Sequence, residues 1–180
     1  MKKAIIILLG LILTNCNPYV PQYDIYHYVD EFDGFIVDRM QGNKIYNALS
    51  LSPYTIEMNA GRTIYKNGEK KYYLQLDYSG SDWFFIQAGE STILLIDSER
   101  FGLTCETEEI KREVKTSYNK PYCSEQAYYK IEPELLKKIS AAKEIKIKVI
   151  GQNNLILKDF EPDNINNLRA FYLQYVKEVK

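Results

Sequence analysis

The sequence predicts an α+β fold: a mainly antiparallel β-sheet, arranged as a meander, with two C-terminal helices packed on it. Three observations lead there. Between Phe32 and Ile131 short apolar runs alternate with turn residues, and the links are too short for a parallel crossover. From Pro133 the apolar spacing changes from two to three-and-four. That helical spacing returns from about Asp163 to the end of the chain.

Taken in order, Phe35-Ile36-Val37 is the first strand of the domain, closed by the turn signal Gly42-Asn43. Tyr54–Met58 forms a second strand. Thr63–Lys66 and Tyr72–Tyr78 flank Asn67-Gly68, the strongest hairpin signal in the chain. In the second arm Leu74, Leu76 and Tyr78 alternate with Gln75 and Asp77, so one face is buried and the other wet. Gly80-Ser81 turns the chain into Trp83–Ile86, read as a strand. Gly89-Glu90 turns it again into Ile93–Ile96, and Phe101–Cys105 follows a turn over Asp97–Glu99. The charged stretch Glu106–Lys115 reads as an exposed strand or a short helix, Val114 and its Thr and Tyr neighbours pointing to strand, and Ala127–Ile131 continues in β.

Pro133 suits the first turn of a helix whose apolar stripe is Leu135, Leu136, Ile139 and Ala142. Ile145, Ile147 and Val149 alternate with lysines in a further strand, Gly151–Asn154 turns it, and Leu155–Leu157 returns. In the last helix Ile165, Leu168, Phe171, Tyr172, Tyr175 and Val179 face the sheet.

The N-terminus has a different purpose. Lys2 and Lys3 precede the apolar run Ala4–Leu13, which suits an export signal and is shorter than the ~20 residues of a permanent span. Leu13-Thr14-Asn15-Cys16 follows, and this sequence resembles the lipobox of bacterial lipoproteins, with Asn15 where a smaller residue is commoner. The resemblance implies cleavage before Cys16 and acylation of its thiol. More than one acyl chain then holds the protein on a membrane, at ~0.8 kcal/mol per buried methylene. The expected organisation is a signal peptide over residues 1–15, a tether over 16–29 and one domain over 30–180. Pro18 and Pro21 keep the tether irregular, while Tyr23–Val29 is a candidate edge strand docked on the domain.

Loss of residues 1–15 removes two lysines and no acids, leaving 21 basic against 24 acidic residues. This balance gives no footprint for nucleic acid and no polybasic grip on lipid, so the acyl group alone would bind the membrane. The 16 tyrosines admit two readings, a sticky aromatic surface or compositional drift alongside frequent Lys, Asn and Ile; drift is the simpler. Cys105 and Cys123 are a candidate disulfide in a chain folding outside the cytoplasm, or a pair of free thiols; no C-x-x-C points to redox chemistry.

The stretch from Tyr72 to Val176 is also similar to a group of uncharacterised bacterial envelope lipoproteins. The likeness rests on Trp83, Gly89-Glu90-Ser91, Leu95-Ile96-Asp97, Ala127-Tyr128-Tyr129, Leu135-Leu136 and Ala141-Ala142-Lys143. It implies an envelope location, on the inner or outer membrane outside the cytoplasm, and brings no activity with it.

Several chemistries lack their residues. His27 is the single histidine, which leaves no zinc motif, and its tyrosine-rich neighbourhood reads as surface. Ser91 follows Gly89 without the second glycine of a nucleophile elbow and reads as a turn residue. No glycine-rich loop cradles a nucleotide, and no cofactor is implied. Asp30, Glu31 and Asp33 miss the calcium-loop spacing, and Asp159, Glu161 and Asp163 read as acids before a helix start rather than metal ligands. Trp83 is the one tryptophan; exposed it would suit a glycan or protein contact, and within so apolar a run it reads as core. The expectation is a non-catalytic, membrane-anchored envelope lipoprotein that binds an envelope protein or glycan. The alternative is a cell-wall or glycan hydrolase with paired carboxylates, for which two facing acids in a pocket would be the sign.

Overall fold

Among the described residues every strand pair is antiparallel, and the strands divide between two sheets. A computed structural model describes residues 23–45, 54–117 and 119–177, so the leader, Cys16 and Val179 lie outside the described residues. The first sheet has six strands: β1 (Asp24–Asp30), β2 (Phe35–Gln41), β3 (Tyr54–Ile64), β4 (Lys70–Gly80), β7 (Ile110–Ser117) and β8 (Lys120–Ile131). Their order is β1-β2-β3-β4-β8-β7. The second sheet is ordered β10-β9-β5-β6, from β5 (Gly89–Ile96), β6 (Glu99–Cys105), β9 (Ile145–Ile150) and β10 (Leu155–Asp159). Helices α1 (Pro133–Ala141) and α2 (Pro162–Phe171) close the chain, α2 running on into a π turn over Tyr172–Val176.

This is the α+β architecture the hydrophobic periods predict. Pro133 and Pro162 each stand at a helix start, where a missing N–H is not needed. The predicted strands Tyr54–Met58 and Thr63–Lys66 are one strand, β3, whose hairpin with β4 turns at Asn67-Gly68 with Gly68 at φ +83°. The edge strand expected within the tether is β1, paired with β2 from Asp24 to Asp30, so folded structure begins ahead of residue 30.

One predicted strand does not form. Residues 83–86 pass from the first sheet to the second as an extended link, with a single bridge from Ile86 to Gly151. Their backbone N–H groups are taken by a side chain. Phe84 and Phe85 donate to Oε1 of Glu125 at 2.7 and 2.8 Å, and Ile86 donates to its Oε2 at 2.8 Å. Arg112 completes the arrangement, with Nε 3.3 Å from Oε2 and Nη2 donating to the Ile86 carbonyl at 2.5 Å. Glu125 is fully buried and Phe85 sits at φ +56°, a strained conformation for a bulky residue held by this clamp.

The core lies where the two sheets and the helices meet. Ile56, Met58, Leu74, Leu76 and Ala127 come from the first sheet, Leu94, Ile96, Ile147 and Val149 from the second. Leu136 and Ile139 of α1 and Ile165, Leu168 and Phe171 of α2 cover it. A buried hydroxyl cluster ties sheet to sheet: Tyr129 on β8 lies 3.0 Å from Ser91 Oγ and 2.7 Å from Thr92 Oγ1 on β5. Both neighbours face inward because the β5–β6 register slips between Glu90 and Thr92, a bulge with Ser91 as the extra residue. Ser91 is therefore a buried inter-sheet contact and not a turn residue.

Candidate functional site

The face of the first sheet turned away from the core is a polar cleft of about 210 Å³. Period-two alternation builds it. While Ile56, Met58, Leu74, Leu76 and Ala127 point into the core, their neighbours Glu57, Asn59, Gln75, Asp77 and Gln126 point out on the opposite face. Strand register then sets them in rows: Asn59 stands opposite Gln75 and Gln75 opposite Tyr128, while Glu57 stands opposite Asp77 and Asp77 opposite Gln126. Arg39 of β2 lies opposite Gly61, and a side chain at Gly61 would collide with the ring of Tyr73.

The floor of the cleft is one connected network. Asp77 accepts from Gln75 Nε2 at 2.6 Å and Gln126 Nε2 at 2.7 Å on one oxygen, and from Asn59 Nδ2 at 2.9 Å on the other. Asn59 also reaches Glu57 at 3.4 Å, and Glu57 accepts the Gly42 N–H at 3.0 Å. Arg39 Nη1 donates to Gln75 Oε1 at 3.1 Å and lies 3.5 Å from the Tyr128 hydroxyl. Its guanidinium stands over the Tyr26 ring, 5.1 Å from the centroid. Burial pushes Tyr73 up to about 12 and raises Tyr128, so both phenols near the cleft keep their protons at neutral pH. Lys115 at the far rim pairs with Glu113 at 2.7 Å, which raises it and holds its charge.

Such a floor is pre-organised. Asn59 and Gln75 each have both amide ends oriented by a neighbour and Gln126 is held through its nitrogen, so a ligand meets fixed donors and acceptors rather than mobile side chains. Behind it, the Asn59 oxygen accepts the Asn43 N–H at 3.2 Å. Asn43 is buried and joins β3 to α2: it donates to the Met58 carbonyl at 2.8 Å and accepts from Asn164 and Asn167 at 3.1 and 3.0 Å.

The residues singled out in the sequence lie elsewhere. Trp83 is half-buried at the surface rather than in the core, tilted against Phe85 at 6.1 Å on the clamped link, and does not line the cleft. Cys105 and Cys123 are free thiols, so the disulfide is not formed. The reason is orientation: the Cys105 sulfur lies 3.7 Å from both Ser91 Oγ and the Gln87 carbonyl, whereas that of Cys123 turns to the Ser81 carbonyl at 3.9 Å. Burial raises both thiols and leaves them poorly nucleophilic. His27 is exposed on β1 but not idle, its Nδ1 lying 2.7 Å from the buried Asp38 carboxylate, which Arg62 also grips at 2.8 Å. Arg62 in turn donates to the Tyr175 carbonyl beyond α2. Of the acids before α2, Glu161 is the helix N-cap residue and donates its N–H to Asn164 at 3.0 Å. Among the described residues no group of three or more His, Cys, Asp or Glu is placed to hold a metal ion, and no helix is long and apolar enough to cross a membrane.

Sequence reading found the wet face of β4 at Gln75 and Asp77 and missed its partners on β2, β3 and β8. The available signal was Gln and Asn at alternate positions of strands whose other face is apolar, with Arg39 in the same alternation. Compared with known proteins, the chain matches no family model and no curated protein.

Proposed function

We propose that this protein is a non-catalytic, lipid-anchored envelope protein whose cleft binds a segment of glycan. The observation that carries the reading is the hydrogen-bonded floor of carboxylates and amides. A sugar hydroxyl both donates and accepts. Acceptor-only carboxylates beside bifunctional amides and phenols, such as Asp77, Glu57, Asn59, Gln75, Gln126 and Tyr128, suit a row of such hydroxyls. The size supports a short occupant, since about 210 Å³ is below the ~300–1,000 Å³ of sites for larger organic ligands. The composition also argues against a protein partner at this place, because the centres of protein interfaces are depleted of charge.

Anchoring rests on the leader: a basic start, an apolar core and Cys16 after Leu13-Thr14-Asn15. Labelled fatty acid should enter the wild-type chain and not the Cys16→Ala variant; labelling of that variant would remove the lipoprotein part of the proposal. For the cleft, oligosaccharides from cell-wall digests should bind the purified protein and lose affinity by about tenfold or more with Gln126→Ala or Asn59→Ala. Binding that ignores both substitutions would place the glycan somewhere else.

A second reading has its own observation. Glu57 and Asp77 are directly opposed across β3 and β4, and paired carboxylates are the equipment of glycoside cleavage. Against it, the three amide donors on Asp77 and the Gly42 and Asn59 donors on Glu57 Oε2 hold both groups as acceptors, which favours the ionised forms over a general acid while leaving lone pairs for ligand hydroxyls. Release of reducing ends from a bound oligosaccharide, abolished by Glu57→Gln, would decide for the hydrolase.

A further inference from the structure

At one end of the cleft stands a cation with no counter-charge. Arg39 Nε is shielded from solvent and has no hydrogen-bond partner, the one such buried side-chain atom among the described residues. Buried N–H groups are almost always paired, so an orphan one asks for an explanation. Nor does any carboxylate among the described residues form an ion pair with Arg39, although Asp77 shares the cleft. Gln75 explains why. Its oxygen accepts from Arg39 while its amide nitrogen donates to Asp77, so a neutral amide stands between the two charges. A direct pair would have compensated the guanidinium; the inserted amide orients it without supplying a counter-charge.

The guanidinium is also held in place. Tyr26 from the neighbouring strand covers its face, and Gln75 and Tyr128 engage Nη1 alone. None of the described hydrogen bonds uses Nη2, and with Nε shielded from solvent it is at the Nη atoms that a carboxylate can be received. The two acids of the cleft, Glu57 and Asp77, stand further along β3 and β4 than the Asn59–Gln75 row, where Asp77 accepts from three amides and Glu57 Oε2 from Asn59 and the Gly42 N–H. The site therefore has polarity: an uncompensated cation at one end, acceptors for hydroxyls at the other.

From this we infer that the cleft selects an acidic glycan, one whose sugar carries a carboxylate, with that carboxylate received by Arg39 and its hydroxyls by the Asp77–Gln126–Asn59 row. The inference rests on the reading of the cleft as a glycan site and adds the charge of the ligand. A carboxylate arriving at the Nη atoms of Arg39 gives the half-buried guanidinium the counter-charge it lacks. A neutral sugar does not.

The test uses the purified protein and a panel of acidic oligosaccharides of the hexuronate and muramic acid types, each beside its carboxyl-reduced counterpart, titrated by calorimetry. The expected result is that an acidic member binds and that its reduced counterpart binds about 10–100-fold more weakly, the range for loss of one charge-assisted contact. Arg39→Gln should bring the acidic member down to the affinity of the reduced one while changing the reduced one little, and its thermal unfolding checks that the sheet is intact. Equal binding of an acid and its reduced form by the wild-type chain overturns the inference and leaves the glycan site standing. Binding of neither class overturns both. Because the paired ligands are compared on the unaltered protein, the outcome does not depend on the variant folding.

Discussion

Removing the Glu125 carboxylate should release the link between the two sheets and cost the fold about 4 kcal/mol. The magnitude follows from the groups left behind. Glu125→Ala strips the acceptor from the N–H groups of Phe84, Phe85 and Ile86, and each buried donor without a partner costs ~1–3 kcal/mol. Phe84 and Ile86 are buried; Phe85 is 40% exposed and can turn to water. Arg112, about one-third exposed, also recovers much of its solvation, which keeps the total near the ~3–5 kcal/mol of a broken buried ion pair. Glu125→Gln is the finer probe. Its oxygen can still serve Phe84 and Phe85, but its amide nitrogen then faces two donors, Ile86 N–H and Arg112 Nε, for a loss of about 2 kcal/mol. Equilibrium unfolding in urea gives both numbers, and hydrogen exchange at residues 84–86 should accelerate ahead of the sheets in either variant. A loss below about 1 kcal/mol for Glu125→Ala, with exchange at 84–86 unchanged, would refute the argument that this carboxylate holds the link.

Other outcomes follow from the same geometry. Asn43→Ala breaks contacts to Met58, Asn164 and Asn167 at a buried position and should lower stability by roughly 2–4 kcal/mol in urea unfolding, against under about 0.5 kcal/mol for an exposed control such as Lys120→Ala. Asp97 is held low by the backbone N–H groups of Glu144 and Lys143, and Glu109 by the Lys130 ammonium. Their stabilisation is complete above the ordinary carboxylate value of about 4 and is lost as pH falls through the depressed folded-state values. Asp97→Asn should therefore flatten the acid limb of a stability-against-pH curve and leave its neutral plateau in shape. The two buried thiols should react with a disulfide reagent only after unfolding, and the chain should migrate alike with and without reductant.

The parts of the fold that the sequence disclosed are those governed by local rules. The Asn67-Gly68 hairpin, the helix starts at Pro133 and near Asp163 and the alternation along β4 and β9 depend on neighbours a few residues apart. What stayed hidden depends on partners far along the chain. Trp83–Ile86 has the apolar composition of a strand, and only Glu125, about 40 residues later, diverts its N–H groups. A signal was present: in β8 the inward positions run Cys123, Glu125, Ala127, Tyr129, so an acid occupies a slot that the period reserves for apolar side chains. The cleft was half visible for the same reason. Period two shows that Gln75 and Asp77 share the wet face of β4 and the Asn67-Gly68 hairpin sets Asn59 beside them, but the register with β2 and β8, which no local pattern fixes, brings in Arg39 and Gln126. The tyrosines occupy both faces of the sheet: Tyr122 lines the cleft and Tyr128 touches Arg39 at its end, while Tyr129 and Tyr78 fill the core.

The central claim is that the polar face of the six-stranded sheet is the working surface of this protein. Backbone amide shifts of the isotopically labelled protein, followed while cell-wall oligosaccharides are added, test it most directly. Saturable changes should gather on Arg39, Asn59, Gln75, Asp77 and Gln126, with little movement at Trp83 or along β10. Saturable changes confined to the Trp83–Phe85 link or the β10 edge, with the cleft silent, would contradict it.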